Sequence, residues 1–268
     1  MKTRRNNRKK NKNKIKKHKT LYKRYTKYIK KGGSNMYTAI IIEPRKHKAI
    51  EFVLNNILEN LDSQWNCIVF HGNLNKEYIE NIINNKLQKY KNRITLLSLN
   101  VDNLTITDYN NLLTNKQFYD NIPTEMFLIF QVDSMIIKEN KDRINDFLEY
   151  DYVGAPWISD NNVGNGGFSL RRKSKMYEIF DKCDYINTNE DYYFSHLIWG
   201  PDKPNCKNVI VNKPSFEKAQ EFSSETIWNP KSFGLHAVWK ACDVNVVNEI
   251  KKTFPEIQTL IDLQSIET

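Results

Sequence analysis

At 268 residues the chain is long enough for one substantial α/β domain with appendages, and its formal charge of +10 is unevenly spread. Residues 1–35 hold 16 Lys/Arg and no Asp or Glu, which leaves 25 Lys/Arg against 31 Asp/Glu, a formal −6, in residues 36–268. That split excludes reading the whole chain as a basic nucleic-acid-binding enzyme, and the lack of any long apolar run excludes a membrane span.

In chain order, residues 1–35 come first. Almost no apolar residue precedes Leu21, so burial cannot offset the entropy of ordering, and disorder is expected up to Gly32-Gly33-Ser34. This basic block reads equally as a nuclear or nucleolar address, as a contact for nucleic acid or an acidic surface, or as a solubilising arm. Tyr37–Ile42 is a β-branched run that stops at Glu43-Pro44-Arg45, as a buried parallel strand does. A helix follows, with Ile50, Val53, Leu54, Ile57, Leu58 and Leu61 on one face. Strands at 65–70, 94–99 and 127–133 alternate with helices at 75–90 and 107–120. This βαβαβαβ order predicts a mostly parallel, Rossmann-like sheet flanked by helices, with ligands beyond the carboxyl ends of the strands. Glu43/Arg45, His71, Asn100/Asp102 and Asp133 stand at those ends.

Beyond residue 140 the alternation breaks. A short helix at 141–149, a strand running into a loop at 152–157, and a glycine-rich turn (Gly164-Asn165-Gly166-Gly167) feeding the strand Phe168–Arg172 are expected. Helices at about 173–181, from 189, at 215–221 and near 243–251 follow, with Phe233–His236 in a loop. Residues 36–268 are therefore expected to be one mixed domain. Cys67, Cys183, Cys206 and Cys242 have no CxxC or Cys/His spacing and no secretory signal beside them, so they are expected to be reduced. Trp157, Trp199, Trp228 and Trp239 include loop positions where an aromatic can stack on a sugar.

Taken singly, the polar residues have plain structural readings. Asp133 fits a turn or cap, the glycines a hairpin, and Glu190-Asp191 a helix start capped by Asn189 and favoured by the helix dipole. His236 fits a surface or core position. The glycine segment is no phosphate loop, because it lacks a trailing Lys-Ser/Thr and enters a strand. Their order is more specific. Glu43-Pro44-Arg45, Gln131-Val132-Asp133, Gly166-Gly167-Phe168-Ser169, Glu190-Asp191 and His236 resemble the layout of GT-A glycosyltransferases, in motif order the β-1,4-galactosyltransferases. Together with Tyr150–Trp157 and Phe233–His236, they more closely resemble an uncharacterised glycosyltransferase-like family found in bacteria, eukaryotes and large DNA viruses, over about residues 36–240.

The resemblance implies a GT-A-like fold and transfer of a sugar from a nucleotide-sugar donor, a UDP-sugar favoured, to a glycan, protein or small-molecule acceptor. Asp133 then holds Mn²⁺ or Mg²⁺ and the nucleotide, His236 is a second metal ligand, and Arg45 meets the nucleotide. Gly166 and Gly167 shape the cleft, and Asp191 or Glu190 is the base of an inverting reaction. Gln131 departs from the Asp-x-Asp pattern by an amide, which implies weaker metal binding, an amide contact to the nucleotide, or a metal-independent enzyme. The alternatives are a catalytically inactive nucleotide- or glycan-binding protein of the same fold, and a nucleotidyltransferase. Without a signal peptide or membrane anchor, a cytoplasmic or nuclear location is expected.

Overall fold

Three of the four apolar runs of the first half, at 37–43, 65–71 and 126–130, form strands whose two faces are covered, and the run at 94–98 forms a partly exposed one. β1 (Tyr37–Glu43), β2 (Trp65–His71), β3 (Ile94–Ser98) and β4 (Met126–Phe130) are connected by helices α1 (Ile50–Asn60), α2 (Lys76–Asn85), α3 (Ile106–Leu113) and α4 (Lys116–Tyr119). Ala39, Ile41, Cys67, Val69, Leu128 and Phe130 share one core with Ile50, Val53, Leu54 and Ile57 of α1. On the opposite face Phe70 packs on Phe118 and Phe127 on Tyr119. Each fully buried aliphatic or aromatic side chain contributes roughly 1.5–3 kcal/mol, so these two layers hold the sheet.

This computed structural model describes residues 36–158, 162–185, 188–197, 206 and 209–265. The basic segment 1–35, expected to be disordered, and Trp199 lie outside the described residues. Residues Met36–Thr268 form one compact unit. Its main sheet has the order β3-β2-β1-β4-β9-β6, with β1 to β4 parallel. β9 (Phe168–Arg172) is antiparallel to both β4 and β6 (Tyr152–Val153). A second sheet joins β5 (Ser134–Ile136), β11 (Gly234–His236) and β10 (Ser223–Ser224), and β7 (Pro156–Trp157) pairs with β8 (Asn162–Val163). The architecture is the expected mixed α/β fold with a mostly parallel central sheet. No helix among the described residues is long and apolar enough to cross a membrane.

Several expectations are corrected. The helix expected over 75–90 ends at Asn85 and a 3₁₀ segment, Gln88–Arg93, follows. The helix expected over 107–120 breaks at Thr114, because the Asn115 side chain accepts from the Gln117 N–H and starts α4 anew. The short helix of 138–147 is 3₁₀. Strand β4 stops at Phe130, so Gln131-Val132-Asp133 is a turn rather than a strand end. Phe233–His236 is not a loop, since Gly234–His236 is strand β11. In the second half α5 (Lys173–Lys182), α6 (Glu190–Tyr192) with its π-helical extension, and α7 (Phe216–Gln220) fall near expectation. After α8 (Val238–Ala241), the terminal helix α9 (Val244–Thr253) is followed by a further one, α10 (Glu256–Asp262), that sequence reading missed. Cys183 and Cys206, expected to be reduced, are joined by a disulfide, whereas Cys67 is a buried thiol pushed up to about 12 by burial.

Candidate active site

Beyond the carboxyl ends of β1 and β2, a buried Asn75 ties two loops together. Its Nδ2 donates to the carbonyls of Glu43 and Arg45, both at 2.8 Å, and its Oδ1 accepts from the Gly72 N–H at 2.9 Å. Arg45 extends from this latch with its guanidinium clasped bidentately by Glu43, at 2.8 Å on each oxygen. Because β1 and β4 are neighbours, this turn and the Gln131–Asp133 turn share one edge of the sheet. His71 is turned onto its own strand end, 2.7 Å from the Gly72 carbonyl, and Asp102 accepts from Asn73. Asn100 adopts a left-handed backbone beyond β3.

The Gln131–Asp133 turn is closed by Ser134, whose Oγ accepts from Gln131 N–H and donates to the Gly167 carbonyl. β5 then runs antiparallel to β11 with Ser134 opposite His236, and that register brings residues about a hundred positions apart side by side. His236 Nε2 lies 3.4 Å from Asp133 Oδ1 and 3.3 Å from Gln131 Oε1. Its Nδ1 faces Glu225 Oε1 at 3.2 Å. Asp133 Oδ1 thus faces the imidazole as an ion pair but is buried without a hydrogen-bond partner, as is Glu225 Oε2. Asp133 Oδ2 accepts from Lys240 Nζ at 2.8 Å. Ala237, left-handed at φ 48°, turns the chain after β11 and leads into α8, which carries that lysine. The Gln131 amide is itself oriented, because its Nε2 donates to the Tyr109 hydroxyl at 2.9 Å and leaves Oε1 toward His236.

These contacts set the charges. Burial alone would raise the Asp133 carboxyl, but His236 and Lys240 outweigh it and hold the group well below the usual carboxylate range. Burial likewise opposes the His236 imidazolium, yet Asp133 and Glu225 on its two sides raise it to about 9.

Gly166 and Gly167 form the wall beside this cluster. A methyl group on Gly167 would overlap the His236 ring, and one on Gly166 would overlap Glu190 Oε1 and stand 2.9 Å from Asp191 Cβ. Consecutive glycines thus let one stretch of backbone touch the acids of α6 on one side and the His236 ring on the other. Asn165 braces it, accepting from Gly167 N–H at 2.9 Å and donating to Glu225 Oε1 at 2.8 Å.

Beyond Gly166 the two acids of α6 have different surroundings. Glu190 is buried and paired bidentately with the fully buried Arg171 of β9, at 2.8 and 3.0 Å. Asp191 Oδ2 accepts only a long, 3.3 Å bond from Gly166 N–H, and Oδ1 accepts from Tyr192 N–H at 2.8 Å. Burial first, and the Glu190 charge second, raise the Asp191 carboxyl to about 6. Asn189 occupies the N-cap position without a side-chain cap, and Asn110 instead accepts from the Glu190 N–H.

The sequence-derived candidates Gln131, Asp133, Gly166, Gly167, Glu190, Asp191 and His236 therefore lie in one contact network, with Arg45 on the same sheet edge. Tyr109, Arg171, Glu225 and Lys240 were missed. Arg171 alternates with Phe168 and Leu170, a pattern that reads as polar-outward. Trp228 is spent on structure, its indole N–H on Glu249 and its ring on Phe254. Trp239 is packed against the core.

Residues 93–236 match a family described as proteins of unknown function, DUF5672. No curated protein matches the chain. Among solved structures, the glycosyltransferase GlyE of Streptococcus pneumoniae TIGR4 is similar at 10% identity and a TM-score of 0.50, over 85% of this chain and 62% of GlyE. The galactosyltransferase LgtC, in complex with donor and acceptor sugar analogues, is similar at 11% identity and 0.48, over 86% of this chain and 96% of LgtC. The mannosyltransferase PcManGT from Pyrobaculum calidifontis, in complex with GDP-Man and Mn²⁺, is similar at 12% identity and 0.41, over 60% of this chain. This chain covers 53% of that mannosyltransferase, about half of its length. At 10% identity the likeness to GlyE is one of fold alone, and that fold is GT-A-like.

Proposed function

We propose that this chain, which belongs to the DUF5672 family, transfers a sugar from a nucleotide-sugar donor to an acceptor hydroxyl with inversion, assisted by a divalent cation. The transferase unit would be residues 36–268, with the basic segment as an appendage. The observation that carries the reading is the Gly166–Gly167 wall, which has a raised carboxyl at Asp191 on one side and the Asp133–His236 cluster on the other.

A cation fits the second side. Asp133 Oδ1 lacks a hydrogen-bond partner, and it and Gln131 Oε1 stand 3.4 and 3.3 Å from His236 Nε2. Neighbouring ligands of an octahedral ion with bonds of about 2.1 Å are spaced at about 3 Å. Glu225 on Nδ1 supplies the carboxylate that orients a ligating histidine. No group of three His, Cys, Asp or Glu among the described residues converges on one point, so the donor's diphosphate or water would complete the shell. Lys240 would then leave Asp133 Oδ2.

The bound ion would supply Lewis-acid neutralisation of the departing nucleoside diphosphate. The remaining work falls to the chain. Asp133, His236 and Gln131 would hold the ion that meets the donor's charged end, and Arg45 would border the nucleotide. Asp191 is ionised at neutral pH yet basic enough to accept a proton. It takes that proton from the acceptor hydroxyl as the oxygen attacks the anomeric carbon. The bond from that carbon to the diphosphate breaks, and its electron pair leaves with the nucleotide. Glu190, committed to Arg171, is a positioning residue.

The test is nucleoside diphosphate release from UDP-glucose, UDP-galactose and GDP-mannose with Mn²⁺, run with D191N and D133A. Loss of about a hundredfold or more in each variant is expected. Wild-type turnover in both removes the assignment.

A further inference from the structure

We infer that Asn110, on α3, is the positioning residue that fixes the start of α6 and, with it, the Asp191 carboxylate. The inference rests on the transferase reading, in which Asp191 is the base, and adds a residue that acts on it through the backbone. α6 spans three residues, too few to pair the N–H groups of its own first turn. Asn189 stands where a capping side chain is expected but makes no capping hydrogen bond. Asn110 takes over that task from another helix, its Oδ1 accepting from the Glu190 N–H at 2.8 Å. The Asn110 amide is itself aimed. Its Nδ2 donates to the Ile106 carbonyl one turn back at 3.0 Å and to Asn189 Oδ1 at 3.3 Å, which turns its own Oδ1 toward α6. The second of these bonds also occupies the Asn189 oxygen. α3 gives this amide a fixed base, because Thr105 and Asp108 close its first turn in a capping box and Leu113 is fully buried at its other end.

Glu190 is thereby held twice. Arg171 grips its carboxylate, and Asn110 holds its backbone N–H. Asp191 is the next residue. Its Oδ2 meets the Gly166 N–H at a long 3.3 Å, and its Oδ1 bonds the Tyr192 N–H, which belongs to α6 and moves with it. The place of this carboxylate therefore depends on the peptide before it more than on its own bonds to the glycine wall. Tyr109, beside Asn110, orients Gln131 on the cation side of that wall. Adjacent residues of one helix thus reach both halves of the site, and their effects should separate: Tyr109 acts on cation binding, Asn110 on the base.

The test compares N110A with N110D, which keeps an acceptor oxygen for the Glu190 N–H. Nucleoside diphosphate release from UDP-glucose, UDP-galactose and GDP-mannose gives kcat and donor KM, electron paramagnetic resonance gives Mn²⁺ affinity, and NMR follows hydrogen exchange of the Glu190 amide. N110A should lower kcat about three- to thirtyfold and speed exchange of that amide by a similar factor, the usual range for a lost helix cap. Donor KM and Mn²⁺ affinity should stay within about twofold, because the lost contact lies on the side of the base. N110D should recover much of both losses. Wild-type kcat and exchange in N110A, a loss that falls on KM or Mn²⁺ affinity in place of kcat, or an N110D no better than N110A overturns the positioning role. Exchange that follows this pattern in a protein that turns over none of the donors keeps Asn110 as the anchor of α6 and overturns the transferase reading.

Discussion

On the α6 side of the Gly166–Gly167 wall, Arg171 and Glu190 meet in a bidentate pair shut off from solvent, and their charges are used up on each other. On the β11 side, Asp133, His236, Glu225 and Lys240 also carry alternating charges, but the pairing is incomplete. Oδ1 of Asp133 and Oε2 of Glu225 have no hydrogen-bond partner, and the Lys240 side chain is 57% exposed. The satisfied network braces the architecture, while the unsatisfied one is the place the proposed function assigns to a cation. Asp191 follows from the first arrangement, because Arg171 is spent on its neighbour and so cannot fully offset its burial.

The largest effect should come from breaking the satisfied side. R171M strands a buried Glu190 carboxylate and should cost about 3–5 kcal/mol in urea unfolding, whereas R171M/E190Q should recover much of it. Equal losses in the single and double variants would mean that the pair is not a closed unit. G167A comes next. Its methyl overlaps the His236 ring, so Mn²⁺ affinity, read by electron paramagnetic resonance, should fall at least about tenfold, with secondary structure unchanged.

The two sides should also respond to pH in the same sense but in different windows. The native Asp191 carboxyl, at about 6 against an ordinary 3.8, holds its proton more tightly than the unfolded chain does. The stability tied to its protonated form is therefore present at low pH and lost as pH rises through about 6, and D191N should abolish that slope. Transfer should rise through the same pH as the base ionises. Without added divalent cation, the stability contributed by the His236 imidazolium is fully present below 6.5 and lost as pH rises through about 9. H236Q should remove this upper slope only. The smallest effect is expected from Y109F, which frees the Gln131 amide to rotate and should weaken Mn²⁺ about three- to tenfold.

Much of the fold is legible in residue patterns. β1, β2 and β4 are apolar on both faces because helices cover both, and α1 shows its stripe because one side meets solvent. Element ends are less legible, since Asn115 restarts a helix that hydrophobic periodicity alone would continue. Asp133, His236 and the Glu190-Asp191 pair stand out by residue type and order. Lys240, Glu225 and Arg171 do not, because a charged residue in a strand, a bend or a short helix reads as solvent-facing until its partner is known.

From the sequence alone come the parallel βα order, the sheet edge where ligands gather, and the residues that resemble a transferase site. All of these depend on local periodicity or on residue type. Only the tertiary structure decides that Glu190 is paired with Arg171 while Asp191 is not, that β11 sets His236 against Asp133, and that Cys183 bonds to Cys206. Those outcomes depend on strand register and on contacts between distant segments, and no short stretch of chain encodes them by itself.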